Sequence, residues 1–134
     1  MANIEDVEGV GPAYAAKLQA AGVGTTDALL KRGATASGRS ELETATGIAH
    51  ALILEWVNHV DLMRLDGVGS EYSDLLEAAG VDSPAELAQR NAANLAQTFL
   101  ELNAARATVR NVTSEAVITG WIAQAKHLPK IVEH

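Results

Sequence analysis

Cysteine is absent from this 134-residue chain, which excludes a disulfide framework, a zinc–thiolate centre and a thiol nucleophile. Aromatic residues make up only 4% of it, so its core must close largely through aliphatic and small side chains. No apolar run approaches the roughly 20 residues that a membrane-spanning helix needs. The opening stretch, Met1 to Asp6, is acidic and carries no apolar segment behind a basic one, so no secretory signal is expected. The expectation is a soluble, cytoplasmic protein without a membrane partner. Positive charge is scarce as well: ten Lys/Arg stand against 17 Asp/Glu, a net charge of −7. The deficit is shared, four bases against eight acids in residues 1–61 and six against nine in 62–134. Nucleic-acid binders draw much of their affinity from basic stripes that displace counterions from phosphates, and no such stripe is visible in this sequence.

What the chain does have is one pattern written twice, 58 residues apart. Residues 4–34 and 62–92 align without a gap and are identical at 12 of 31 positions. The matches include Gly9-Val10-Gly11 with Gly67-Val68-Gly69, Tyr14 with Tyr72, Leu18 with Leu76, and Gly22 with Gly80. A repeat at this period indicates one supersecondary unit used twice. Trp56 and Trp121 also correspond, but 65 residues apart, which places about seven extra residues in the second copy near 104–113. Tryptophans and tyrosines that recur with the architecture are expected to be buried and to hold it together.

Local signals give helices throughout. Pro12 suits a first helical position, where its missing N–H costs little, and Gly22 can close that helix in the left-handed conformation. Thr25 or Thr26 caps a second helix. Gly33 to Gly38 reads as a linker, and Ser40 with Glu43 has the capping-box spacing that opens a third. A fourth, from about 48 to 63, carries Leu52, Trp56 and Val60 on one stripe. In the second copy a helix spans about 70–79. Ser83-Pro84-Ala85-Glu86 opens another, Asn91 caps a seventh, and the last runs from about Ser114 to Leu128. No alternating strand pattern appears. The expected fold is all-α, with about eight helices in two pseudo-symmetric repeats, 1–61 and 62–134. Each repeat would expose its Leu/Ile/Trp face alone, so the two are expected to pack as one compact domain.

Val7-Glu8-Gly9-Val10-Gly11-Pro12, followed by Ala15 and Leu18, resembles the helix-hairpin-helix consensus of two glycines in a tight turn leading into a helix. The longer context also includes Ala21-Gly22-Val23, Leu29-Leu30, Trp56-Val57-Asn58-His59, Asp61-Leu62-Met63-Arg64, Leu87-Ala88-Gln89-Arg90-Asn91 and Leu95. It resembles an uncharacterised bacterial family of tandem helix-hairpin-helix proteins, catalogued as a domain of unknown function. That resemblance implies a fold and no activity. In DNA-binding helix-hairpin-helix proteins the turn's N–H groups and the helix N-terminus face a phosphate, aided by nearby bases. The candidate phosphate-binding residues here are Gly9, Val10, Gly11 and Lys17, with Gly67, Val68 and Gly69. Glu5, Asp6 and Glu8 crowd the first hairpin, and Asp66, Glu71, Asp74 and Glu77 the second, a local potential that repels phosphate.

Other chemistry is not supported. His50, His59, His127 and His134 show no metal-ligand spacing, and His59 and Asp61, near a helix end, are expected to cap it or face solvent. Gly9-Val10-Gly11 follows no strand, which excludes a dinucleotide loop. Asn91, Asn94, Arg90 and Arg106 read as a capping network. No catalytic residue, metal or cofactor is assigned. The favoured function is a non-enzymatic binding module for another protein or for itself. The alternative is weak, sequence-independent binding of a nucleic-acid backbone through the first hairpin. A stripe of Lys17, Lys31, Arg32 and Arg39 on one face would favour that alternative, and their scattering would favour the module.

Overall fold

The computed structural model describes residues 3–106 and 112–134. Among them are eight α-helices and no strand, only an isolated bridge between Asn3 and Thr25. The chain forms two compact units, Met1–Asp61 with Ile131–His134, and Leu62–Lys130.

The first unit opens with a 3-10 turn, Ile4–Asp6, followed by α1 (Gly11–Ala20), α2 (Thr26–Arg32), α3 (Ala36–Thr46) and α4 (His50–Leu62). Helix α1 starts one residue before Pro12 and ends as expected at Gly22, whose φ is +88°. Behind that glycine the Val23 N–H donates to the Leu18 carbonyl at 2.8 Å and the Gly22 N–H to that of Gln19 at 3.0 Å. These are the two bonds of a Schellman ending. Thr25 caps α2, its hydroxyl accepting from the Ala28 N–H.

Helix α3 begins earlier than its Ser40–Glu43 spacing suggests. Thr35 is its cap, with its hydroxyl accepting from the Gly38 N–H at 3.0 Å, so the expected linker holds the first turn of the helix. The Ser40 carbonyl instead accepts from the Thr44 hydroxyl inside the helix. Gly38 lies within a helix because of space: a Cβ there would collide with the Arg32 carbonyl oxygen. Gly33 is closely covered too, by Val57 and the Leu29 carbonyl.

Helix α4 departs from a one-stripe reading, since every residue from Trp56 to Leu62 is buried. A helix buried around its circumference takes polar residues inside along with apolar ones. His59 and Asp61 accordingly are 1% and 3% exposed and do not face solvent.

The four residues Ile131–His134 follow the last helix in sequence yet belong to the first unit. Glu133 donates its N–H to the Ala34 carbonyl at 2.7 Å and accepts at its own carbonyl from Arg39 Nη2 at 2.7 Å. His134 Nε2 lies 2.9 Å from Asn58 Oδ1. Val132, between these anchors, is 1% exposed.

The second unit contains α5 (Ser70–Ala78), α6 (Pro84–Leu87), α7 (Ala92–Arg106) and α8 (Glu115–Ala125). Its three sequence-legible caps are present: Ser83 accepts from Glu86, Asn91 from Asn94, and Ser114 from Val117. Its core gathers Leu62, Leu65, Val68, Leu75, Leu76, Val81, Leu87, Leu95, Phe99, Ile118, Trp121 and Ile122. Gly80 repeats the left-handed ending, with φ +88° and the Val81 N–H donating to the Leu76 carbonyl at 2.9 Å. The extra residues expected near 104–113 fall partly on 107–111, outside the described residues.

Candidate functional site

The two glycine hairpins are built by the same local bonds. Val10 donates its N–H to the Val7 carbonyl and Val68 to that of Leu65, both at 3.1 Å. Each bond closes a four-residue turn whose third residue, Gly9 or Gly67, has φ +87° or +90°. That position of such a turn requires the left-handed region that glycine adopts freely. Val10 and Val68 are buried, anchoring each turn to its own unit.

A tryptophan backs each turn. A Cβ on Gly9 would stand 3.5 Å from the Trp56 indole nitrogen, and one on Gly67 3.1 Å from that of Trp121. Each indole packs in turn on a tyrosine: Tyr14 and Trp56 have ring centroids 5.1 Å apart, Tyr72 and Trp121 5.3 Å. Both tryptophans are buried, at 1% and 2% exposure, as their recurrence implied.

The second glycines differ. Gly11 has φ +64°, whereas Gly69 is extended at φ −95°, ψ −167°, with open space where a Cβ would stand. Gly69 therefore has both the backbone and the space to take a side chain. Gly67→Ala should cost about 1–3 kcal/mol through backbone strain, and Gly69→Ala should stay within about 0.5 kcal/mol of wild type. Urea denaturation of the two variants measures the difference, and equal costs would contradict the geometry.

Helices α1 and α5 begin without a side-chain cap, at Val10 and Gly69. In α1 the proline removes one of the N–H groups that a helix N-terminus would otherwise present. Lys17, the one base expected to help, sits in the last turn of α1. It is roughly 9 Å along the axis from Gly11, at 1.5 Å per residue. Its ammonium lies 5.8 Å from the Tyr14 ring. The structure thus places Lys17 at the negative end of the helix dipole, away from the hairpin amides. The corresponding position in the second unit is Leu75, fully buried.

Four arginines bond within the fold. Arg32 Nη1 donates to the Ala21 carbonyl at 3.2 Å, and Arg90 Nη2 to the Ala79 carbonyl at 3.3 Å. Each closes the helix end next to its left-handed glycine. Arg90 also pairs with Glu86 at 3.6 Å, and Asn91 and Asn94 form the α7 cap, so these three act as a capping network. Nothing is described of the Arg106 side chain. Arg64, beside the second hairpin, donates to the Pro129 carbonyl at 2.7 Å. Arg39 is 2% exposed, bonded through Nη1 to the Gly33 carbonyl at 2.8 Å and through Nη2 to that of Glu133. The stripe of Lys17, Lys31, Arg32 and Arg39 does not form, because Arg39 is buried and Arg32 closes a helix.

Sequence reasoning missed one contributor. Gln124 in α8 pairs with the Asp66 backbone in both directions, accepting from its N–H at 2.9 Å and donating to its carbonyl at 3.4 Å. No local signal marks that contact. The arginines Arg32 and Arg90 did carry a signal, since they are identical in both copies of the pattern.

These features define an all-α protein whose glycine turns are braced by tryptophan and edged by acidic side chains. The chain belongs to the family described as Domain of unknown function (DUF4332), whose model matches residues 8–128. No curated protein and no solved structure matches it. Among the described residues no helix is long and apolar enough to cross a membrane.

Proposed function

We propose that the chain is a non-enzymatic tandem helix-hairpin-helix module that binds another protein or a second copy of itself. The twelve identities between residues 4–34 and 62–92, together with the like bonds at both glycine turns, support reading the units as two copies of one hairpin element. The observation that carries the binding reading is the fate of the bases. Phosphate recognition needs cations focused on the turn amides. Here Arg32, Arg39 and Arg64 donate to backbone carbonyls and Lys17 stands at the far end of α1. Glu5, Asp6 and Glu8 remain exposed around the first turn. A scaffold whose arginines Arg32, Arg39 and Arg64 bond its own backbone, and whose exposed residues around the first turn are acidic, suits protein contacts better than nucleic acid.

A duplex-DNA titration followed by fluorescence anisotropy tests this directly. No measurable binding is expected at physiological salt. Weak binding at low salt should show a log–log salt slope of about −2 to −3, the signature of two or three neutralised phosphates, and Lys17→Ala should abolish it. Micromolar affinity at physiological salt with a slope steeper than about −4 would overturn the module reading. A protein that co-purifies with the chain and re-forms a complex from purified components would establish it, as would reversible self-association in sedimentation.

A further inference from the structure

Among the described residues Arg39 is the one buried Lys or Arg, at 2% exposure, and no carboxylate there pairs with it. Two backbone carbonyls, of Gly33 and Glu133, accept from its terminal nitrogens, and its Nε is buried without a hydrogen-bond partner. A guanidinium removed from water at such cost is compensated poorly by carbonyl dipoles. A carboxylate would meet it with charge-assisted, two-pronged bonds roughly twice as strong as neutral ones.

One of the two carbonyls comes from the segment Ile131–His134, which belongs to the first unit and forms neither helix nor strand. Three features hold it: the Glu133 N–H on the Ala34 carbonyl, the Val132 side chain in a fully covered socket, and His134 beside Asn58. Main-chain bonds with one socketed side chain are the way extended peptides are recognised generally. We infer that Ala34, Arg39 and Asn58 form a peptide-binding groove that residues 131–134 occupy in place of a partner, and that the partner is an extended peptide with a β-branched residue followed by a carboxylate aimed at Arg39. The charge argument selects this occupant over the same segment of a second copy, which would offer Arg39 only the carbonyl it already has. The inference rests on the interaction-module reading and gives it a location.

The test uses the full chain and a fluorescein-labelled peptide of residues 129–133, prepared with a free C-terminal carboxylate and as the amide. Val132→Gly empties the socket from within the chain. That variant should bind the carboxylate peptide at least tenfold more tightly than the amide, or about 1.4 kcal/mol. It should also bind it at least tenfold more tightly than wild type does, where the tethered segment competes at high effective concentration. Adding Arg39→Lys should erase the carboxylate preference, with circular dichroism confirming that the protein remains folded. Should that double variant unfold, the carboxylate-versus-amide comparison in Val132→Gly decides alone. Equal affinity for the two peptides, no binding, or identical binding by wild type and Val132→Gly would overturn the inference. Self-association of wild type that Val132→Gly abolishes would assign the groove to a second copy and overturn it as well. A protein partner retained by Arg39→Lys removes this groove while leaving the module reading intact. Tight duplex binding removes the module reading whatever the peptides do.

Discussion

Trp56→Ala and Trp121→Ala should each destabilise the protein by about 3–5 kcal/mol, the range for large aromatic side chains removed from a closed core. Each ring does three things at once. It is 1–2% exposed, it packs on a tyrosine with centroids 5.1 or 5.3 Å apart, and its indole nitrogen backs the left-handed glycine of a turn. The ring pair adds about 0.5–1.5 kcal/mol beyond burial. In the second unit Tyr72 also lies 6.5 Å from Phe99, so losing Trp121 loosens a row of three rings, and its cost should be at least that of losing Trp56. The chain has only two tryptophans, one in each unit, so the emitter each variant keeps follows the unaltered unit, and circular dichroism during guanidinium titration follows the altered one. A cost near or below about 1 kcal/mol, the centre of the distribution for point changes, would show that the ring is not part of a packed core.

Gly38→Ala should destabilise, against the usual trend. Alanine ordinarily gains about 0.5–1 kcal/mol over glycine within a helix. In α3 the added methyl would collide with the Arg32 carbonyl and stand 3.1 Å from the Thr35 hydroxyl that caps the helix. Overpacking of this kind costs about 1–3 kcal/mol, so the sign should reverse. Gly120 in α8 is the control, because nothing lies within 4 Å of where its Cβ would stand. Gly120→Ala should stabilise by about 0.5–1 kcal/mol. Thermal melts of the two variants settle the comparison, and a stabilising Gly38→Ala would mean that α3 does not begin at Ala36.

The parts of the fold that could be read from the sequence are those decided within a few residues. Ser83, Asn91 and Ser114 cap helices because a cap joins a side chain to an amide three positions on, and such spacing is visible in the chain. The glycines of the turns were legible through their duplication, and φ is positive at Gly9, Gly11 and Gly67. Gly69 shows the limit of that argument: it shares its neighbour's composition without its backbone. Where the reading went astray, a distant element had decided the matter. Gly38 looks like a chain breaker until the Arg32 carbonyl is seen above it. Arg39 looks like a surface base until a segment 94 residues on is found covering it. The polar end of α4 looks solvated until burial on every side is seen. For the candidate site, the acidic setting of both turns was plain from the sequence, but the positions of the bases were not. Charge can be counted along a chain, whereas the carbonyls that capture arginines are placed only by folding.

The arginine that closes each of α1 and α5 reaches back 11 residues, while the bond from Arg39 to Glu133 spans 94. The entropy of closing a loop grows with the logarithm of its length, so the longer closure costs about 2 kcal/mol more than the shorter. Sequence distance therefore orders assembly. The helix ends and glycine turns can form early from local contacts, the tryptophan–tyrosine pairs follow over intermediate separations, and Ile131–His134 arrives after its seat is built. Until Ile131–His134 is seated, the Arg39 Nη2 donor lacks its Glu133 acceptor, and any other peptide that reaches it competes with a tethered segment present at high effective concentration.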